Sequence, residues 1–249
     1  MITMEKLLTT NFKLSPLDQS RFNITVAKAY IADVRGFEKV VRLCEKNSVE
    51  LLISRSNGDQ LNVVHLMEKN GFLLMDTLIY YTFDLMKRNI PTDPGNVFVR
   101  KIRSGEELSV KEAAAQSFKG YVGHYHADNR LEQSKSDEIY VDWAYRSAVK
   151  EVADEVLVAE INGQIVGFAT LKLNSKEEGE GVLFGIIPVA QRLGIYRSFI
   201  IQGLLWCQQN GCQSMIVSTQ IINIAVQKVW TRVGFEPSKF YYTYHKWFN

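Results

Sequence analysis

The sequence predicts an α+β protein built on a mixed sheet and organised as two unequal halves. Short segments with period-two alternation are interleaved with apolar stripes at helical spacing. Asn162-Gly163, the strongest short signal for a β-hairpin, joins two runs rich in branched residues. A strand, turn and helix closed by a glycine–aromatic pair occur twice, ending at Leu66-x-x-x-x-Gly71-Phe72 and at Val229-x-x-x-x-Gly234-Phe235, each followed by an aromatic strand.

From the N-terminus, Phe22, Ile24 and Val26 alternate with polar neighbours as a strand does, and Phe37, Val40, Val41 and Leu43 recur at helical spacing up to Glu45-Lys46-Asn47. Leu51 to Ser54 is a short apolar strand. Asn57-Gly58-Asp59 turns the chain into a helix carrying Leu61, Val64, Leu66 and Met67, which Asn70-Gly71 ends; Phe72 to Leu85 is then a long strand of aromatic and branched residues. Arg88 to Asn96, with Pro91, Pro94 and Gly95, reads as a linker. A division there gives a smaller N-terminal domain, residues 1–90, and a larger C-terminal one, residues 91–249.

After the linker, Val97 to Arg103 alternates as a strand and Glu106 to Phe118 is a helix with an alanine-rich centre. Tyr121 to Asn129 has no period and reads as an irregular loop, followed by Ser136-Asp137-Glu138 as the cap of a helix carrying Tyr140, Trp143, Ala144 and Ala148. Val156 to Glu160, Ile165 to Leu173 and Gly181 to Ile187 form an antiparallel meander, with Glu178 and Glu180 ahead of its third strand as a solvated charge run in a turn. Gly194 to Gln209 is a helix ended by Asn210-Gly211, Ser214 to Ser218 a strand, Asn223 to Val233 a helix ended by Gly234, and Phe240 to Trp247 a closing strand.

With 249 residues and 46 % hydrophobic content the chain can bury a substantial core. A net charge of +2, from 29 basic and 27 acidic residues, carries no polyanion signature, so nucleic acid is not an expected partner. No run of 18 apolar residues exists and Met1 to Pro16 lacks a signal-peptide core, so the expectation is a cytoplasmic protein without a membrane partner. Cys44, Cys207 and Cys212 are odd in number and lack metal-ligand spacing with the four histidines; structural thiols and no metal are expected.

The stretch from Ile186 to Tyr196 is the most informative. An apolar strand runs out at Pro188 and a helix restarts across the polar turn Gln191-Arg192-Leu193-Gly194. Such a turn leaves backbone N–H groups unpaired at the positive end of a helix, an arrangement suited to phosphate. The first half passes from its Phe37 helix to its Leu51 strand with nothing comparable, which puts a cofactor in the second.

Pro188-x-x-Gln191-x-x-Gly194 resembles the pyrophosphate arm of the GNAT N-acetyltransferases, with Tyr196 where their second small residue stands. Thr219-Gln220-x-x-Asn223-x-x-x-x-x-Val229-Trp230-x-x-x-Gly234-Phe235 resembles their second signature, with Trp230 where many members have a proton-donating tyrosine. The degenerate first half ending in Gly71-Phe72, and the Phe118 to Asp128 segment leading to Tyr140-x-x-Trp143, extend the resemblance to the two-domain bacterial subgroup of TDP-fucosamine acetyltransferases. It implies a GNAT fold in the C-terminal domain, a smaller degenerate GNAT-like N-terminal half, and acetyl-CoA as cosubstrate. The amides of Gln191, Arg192, Leu193, Gly194, Ile195 and Tyr196 would face the pyrophosphate, with Arg192 adding charge. The pantetheine arm would lie between strands 181–187 and 214–218 as an added strand. A backbone N–H near Ile186 or Ile187 would meet the thioester carbonyl. Asn223 would bond the pantetheine amides or cap its helix, and Trp230 would line the same site. The implied acceptor is the primary amine of a small molecule, in the subgroup a nucleotide-linked amino sugar. A non-catalytic acyl-CoA-binding protein and a peptide N-acetyltransferase stay open, and so does a homodimer.

Acetyl transfer needs a neutral amine, a polarised thioester carbonyl and a proton for the thiolate. Indole cannot give that proton at neutral pH, so Tyr241, Tyr242, Tyr244, Ser218 and Thr219 become candidates. Strand alternation puts Tyr242 and Tyr244 on one face and Tyr241 on the other. For the base, His124-Tyr125-His126-Ala127-Asp128 clusters imidazoles on a loop; either can take the ammonium proton, and His126 is the candidate, its alternative being to organise the loop with Asp128. His65 and His245 read as packing or surface residues.

Overall fold

In the computed structural model, residues 10–93, 95 and 97–248 are described. Pro94 and Asn96 of the expected linker, and residues 1–9 of the segment read for a targeting signal, lie outside the described residues. Strand and helix alternate as the periodicities predict and gather into two compact units. One holds Met1–Ile79, Val122–Ser136 and Lys239–Asn249; the other holds Tyr80–Tyr121 and Asp137–Ser238.

The first unit begins with β1 (Asn11–Leu14), α1 (Pro16–Phe22) and β2 (Val26–Tyr30). The expected Phe22–Val26 strand is corrected here. Pro16 pre-sets the first helical φ, Asp18 suits the helix start, and Asn23 closes the helix in the left-handed region at φ 57°. Phe22 therefore ends a helix, and the strand starts at Val26. α2 (Val34–Lys46) starts on Asp33, whose carboxylate accepts from the Gly36 N–H at 2.6 Å. β3 (Leu51–Asn57) runs parallel to β2, and the last strand, β10 (Glu236–Trp247), pairs antiparallel to it over Tyr241–Trp247. α3 (Leu61–Lys69) and β4 (Leu73–Asp84) follow. Phe37, Val40 and Cys44 of α2, Val63, Val64 and Met67 of α3, Leu52 and Tyr244 share one apolar core. Each such buried side chain contributes roughly 1.5–3 kcal/mol.

In the second unit the strand order is β9-β8-β7-β6-β5, from β5 (Phe98–Lys101), β6 (Glu155–Ile161), β7 (Gln164–Leu173), β8 (Glu178–Ile186) and β9 (Ser214–Gln220). β5 to β8 are antiparallel, and β9 is parallel to β8. Asn162 and Gly163 take φ 50° and 79°, the left-handed pair a tight hairpin turn needs. α4 (Glu107–Ser117) and the Ala144–Ala148 end of α5 (Gln133–Ala148) cover Val156, Val158, Phe168 and Leu183. Ser136 does not cap α5. It lies inside the helix, and its hydroxyl donates back to the Glu132 carbonyl. Glu178 and Glu180 are not a turn either: both are in β8, opposite Ser214 and Ile216, because a ladder on each side of the strand outweighs their charge. Within the expected linker, Asp93 is held on α6 (Ile195–Gln209) by Ser198 Oγ at 2.8 Å and Gln202 Nε2 at 3.2 Å.

Candidate active site

The ladder between β8 and β9 pairs Glu178 with Ser214 through Gly181 with Val217 and then stops, although β8 runs on to Ile186 and β9 to Gln220. The cause is a bulge. Thr170 opposes Leu183 while Leu171 opposes Gly181, which leaves Val182 as the extra residue on β8. Beyond it, Leu183 N–H donates to Thr170 Oγ1 at 3.0 Å and Ile187 N–H to the Val166 carbonyl at 3.0 Å, both toward β7. Since backbone groups alternate sides along a strand, the N–H groups of Phe184 and Ile186 face the side where β9 has diverged. Of the two residues expected at the thioester carbonyl, Ile186 thus presents its N–H to the gap. Ile187 spends its own on β7.

The expected phosphate turn follows directly. Pro188–Ala190 makes one 3-10 turn, and Gln191 Nε2 donates to the Ile186 carbonyl at 3.4 Å. Arg192 takes φ 67° and Gly194 φ 86°. Holding a non-glycine residue there costs roughly 1–3 kcal/mol, a strain that clusters at ligand-binding turns. Among the described residues no backbone carbonyl takes the N–H of Arg192, Leu193, Gly194 or Ile195, and Ser198 N–H makes the first bond of α6, to the Gly194 carbonyl. Gln191 to Gly194 are exposed, and a Cβ added at Gly194 would meet nothing within 4 Å. The Arg192 guanidinium makes no ion pair among the described residues. Successive free N–H groups at a helix N-terminus beside such a cation form an anion cradle.

Tyr196 does not cover that cradle. Its ring turns inward, 5.3 Å from the Phe184 ring, and burial pushes its hydroxyl pKa up. The hydroxyl sits beside Trp230 of α7 (Ile224–Val233). Trp230 is 1 % exposed and lies 5.4 Å from the Tyr81 ring, yet no atom accepts a hydrogen bond of ordinary geometry from its Nε1. The Tyr196 hydroxyl is its neighbour and the acceptor nearest to ordinary geometry. Asn223 caps α7: its carbonyl oxygen accepts from Val226 N–H at 3.4 Å, and its Nδ2 donates to Thr219 Oγ1 at 3.0 Å.

Residues 121–235 match the family model described as "Acetyltransferase (GNAT) family". The fold is that of the GNAT acetyltransferases. Among sequence relatives, the mycothiol acetyltransferase of Arthrobacter sp. (strain FB24) is 23 % identical over 147 residues, 57 % of this chain and 43 % of that protein. The chain therefore spans less than half of that relative's length. The spore coat polysaccharide biosynthesis protein SpsD of Bacillus subtilis (strain 168) is 20 % identical over 218 residues, 86 % of this chain and 72 % of that one. Among solved structures, a GCN5-related N-acetyltransferase from Sphaerobacter thermophilus superposes with a TM-score of 0.65 at 14 % identity, covering 96 % of this chain and 76 % of that one. This last likeness shows the fold.

The remaining candidates lie in the other unit. His126 Nδ1 accepts from Gly123 N–H at 3.1 Å, closing the loop turn. Tyr244 is in the apolar core and burial pushes its hydroxyl up to about 12, while Tyr242 packs against the same core. The opposite face of β10 carries what the sequence reading missed. His245, read there as a packing or surface residue, bonds both His124 and Asp128. Strand alternation was the one signal for it, since it puts Thr243, His245 and Trp247 on a single face. Among the described residues no group of three or more His, Cys, Asp or Glu is arranged to hold a metal ion, and no helix is long and apolar enough to cross a membrane.

Proposed function

We propose that the protein moves an acetyl group from acetyl-CoA to the primary amine of a small molecule, with a nucleotide-linked amino sugar as the acceptor class. The observation that carries this reading is the divergence of β8 from β9 after Gly181 and Val217, beside a turn of free N–H groups. Residues 91–249 would hold the donor. The amides of Gln191 to Tyr196 and the Arg192 guanidinium take the pyrophosphate, the pantetheine arm pairs with the open edge of β8, and Ile186 N–H polarises the thioester carbonyl. Asn223 and the Trp230 indole N–H offer further donors.

In the reaction the ammonium first loses one proton. The neutral amine then attacks the carbonyl carbon, the C–N bond forms, the C–S bond breaks, and the nitrogen's second proton goes to the sulfur. SpsD, named for polysaccharide biosynthesis and matched over most of this chain, supports a saccharide acceptor. Trp230 favours a second reading, an acyl-CoA-binding protein without turnover, since indole cannot protonate a thiolate.

A thermal-shift titration with acetyl-CoA, followed by thiol release with amino sugars free and nucleotide-linked, tests both. Binding with thiol release and a marked preference for nucleotide-linked acceptors is the expected result. Binding without release from any amine supports the second reading, and no binding removes both.

A further inference from the structure

On the face of β2, β3 and β10 turned away from Ala29, Leu52 and Tyr244, three residues stand in one row. Tyr30 pairs with Arg55 and Arg55 with Thr243, and residues paired across a ladder project to the same side. Lys28, Ile53 and His245 make the next row on one side. On the other, the rings of Tyr30 and Tyr241 meet edge to face, their centroids 5.9 Å apart. Arg55 is half-buried, and among the described residues its guanidinium makes no ion pair and no hydrogen bond. Thr243 is 0 % exposed, and its hydroxyl has no partner there either.

The acidic groups around this row are committed elsewhere. Asp18 holds Lys28 Nζ at 2.6 Å, and Asp128 accepts from His245 and Trp247. Burial, and then the Asp59 charge, raise the Tyr30 hydroxyl pKa, yet Asp59 makes no ion pair with Arg55. Arg55 does act on His124: after burial and His245, its charge is what most disfavours the imidazolium. The row thus carries a cation short of water and a buried hydroxyl, both without a partner. That state costs free energy until an anion supplies one.

We propose that Arg55 and Thr243 form, within the first unit, a binding site for a phosphoryl group. The guanidinium fork presents two parallel N–H groups, and the Thr243 hydroxyl adds a third donor from the neighbouring strand. Three donors match the three outer oxygens of a terminal phosphoryl group, whereas a carboxylate has two. A bound anion also offsets the Arg55 charge, so His124 becomes easier to protonate. Inorganic phosphate and the phosphate end of a nucleotide share this chemistry. The Arg192 turn belongs to the other unit, and the Arg55 site stands whether or not acetyl-CoA binds there.

The test is a nitrogen NMR titration of the whole chain that follows the Arg55 Nε–Hε signal, identified by its loss in Arg55→Met. Following that one side chain keeps phosphate at the Arg192 turn out of the measurement. Inorganic phosphate, UDP and acetate are added in separate series at constant ionic strength. Expected are a saturable shift with phosphate or UDP, binding at least about tenfold weaker with acetate, and a His124 pKa that rises once the anion is bound. UDP binding tighter than phosphate names a nucleotide as the source, and UDP binding no tighter names free phosphate; both support the site. Thr243→Val should weaken phosphoryl binding about three- to tenfold while the melting temperature without anion stays level or rises, since an unpartnered buried hydroxyl is removed. No saturable shift with either phosphate or UDP overturns the site. Acetate binding as tightly as phosphate overturns the phosphoryl assignment, and native affinity in Thr243→Val overturns the third donor. Should Arg55→Met fail to fold, Arg55→Lys identifies the signal instead.

Discussion

Gly181 and Val217 are the last residues paired between β8 and β9, and the bulged Val182 comes immediately after the first of them. One irregular residue thus sets where the sheet opens. The N–H groups of Phe184 and Ile186 line the opening, and the Arg192–Gly194 turn follows at its end.

Gly194 sits at φ 86° with open space around its missing Cβ. Gly194→Val meets no clash but must enter the left-handed region, at roughly 1–2 kcal/mol, or rotate the turn and misdirect its N–H groups. Isothermal titration should show acetyl-CoA affinity at least about tenfold weaker, equivalent to ~1.4 kcal/mol, with the native circular dichroism spectrum retained. Unchanged affinity would remove the turn from the donor site.

Trp230→Phe deletes a buried donor whose bond to the Tyr196 hydroxyl is at best distorted, together with some packing volume, so the melting temperature without ligand should fall modestly. If the indole N–H serves the donor molecule, acetyl-CoA affinity falls roughly three- to tenfold, as for one net hydrogen bond of about 0.5–1.5 kcal/mol. A variant that binds as tightly as the native protein would assign Trp230 to packing alone.

Arg55 disfavours a charged His124. Arg55→Met removes that cation, so the His124 pKa should rise toward the ordinary value. An imidazole NMR titration reads this directly, and a shift in the other direction would show that Arg55 does not face the ring.

Asp18 is 2 % exposed and holds Lys28 Nζ at 2.6 Å, with Ser15 and Tyr125 hydroxyls also donating to it. Burial opposes its charge, the lysine and the two hydroxyls favour it, and its folded-state pKa is lowered. Its contribution to stability is therefore present above the unfolded value near 3.8 and is lost as pH falls through the lower folded value. Asp18→Asn should cost about 3 kcal/mol at pH 7, near the low end for breaking a buried pair because Lys28 keeps some water, and should flatten urea stability below about pH 4.

What the sequence made legible was local. The phosphate turn, the Asn162-Gly163 hairpin and the Gly234 helix stop depend on residues within a few positions of one another. Pro16 and Asn23 were equally local but lay in a segment read for alternation alone, so α1 went unseen. The bulge at Val182 could not be read, because bulges follow from register between strands. Nor could the Asp128–His245 bond, whose partners are 117 residues apart in the chain.

The pairing of β10 with β3 also orders events during synthesis. The first unit is completed by Tyr241–Trp247 lying along Leu51–Asn57, so its sheet waits for β10 to leave the ribosome, while Tyr80–Tyr121 and Asp137–Ser238 have already emerged. Until then β3 has an unfilled edge, a template for aggregation or for β10 of another nascent copy. That open edge is the surface a chaperone would have to shield while the chain is still being made.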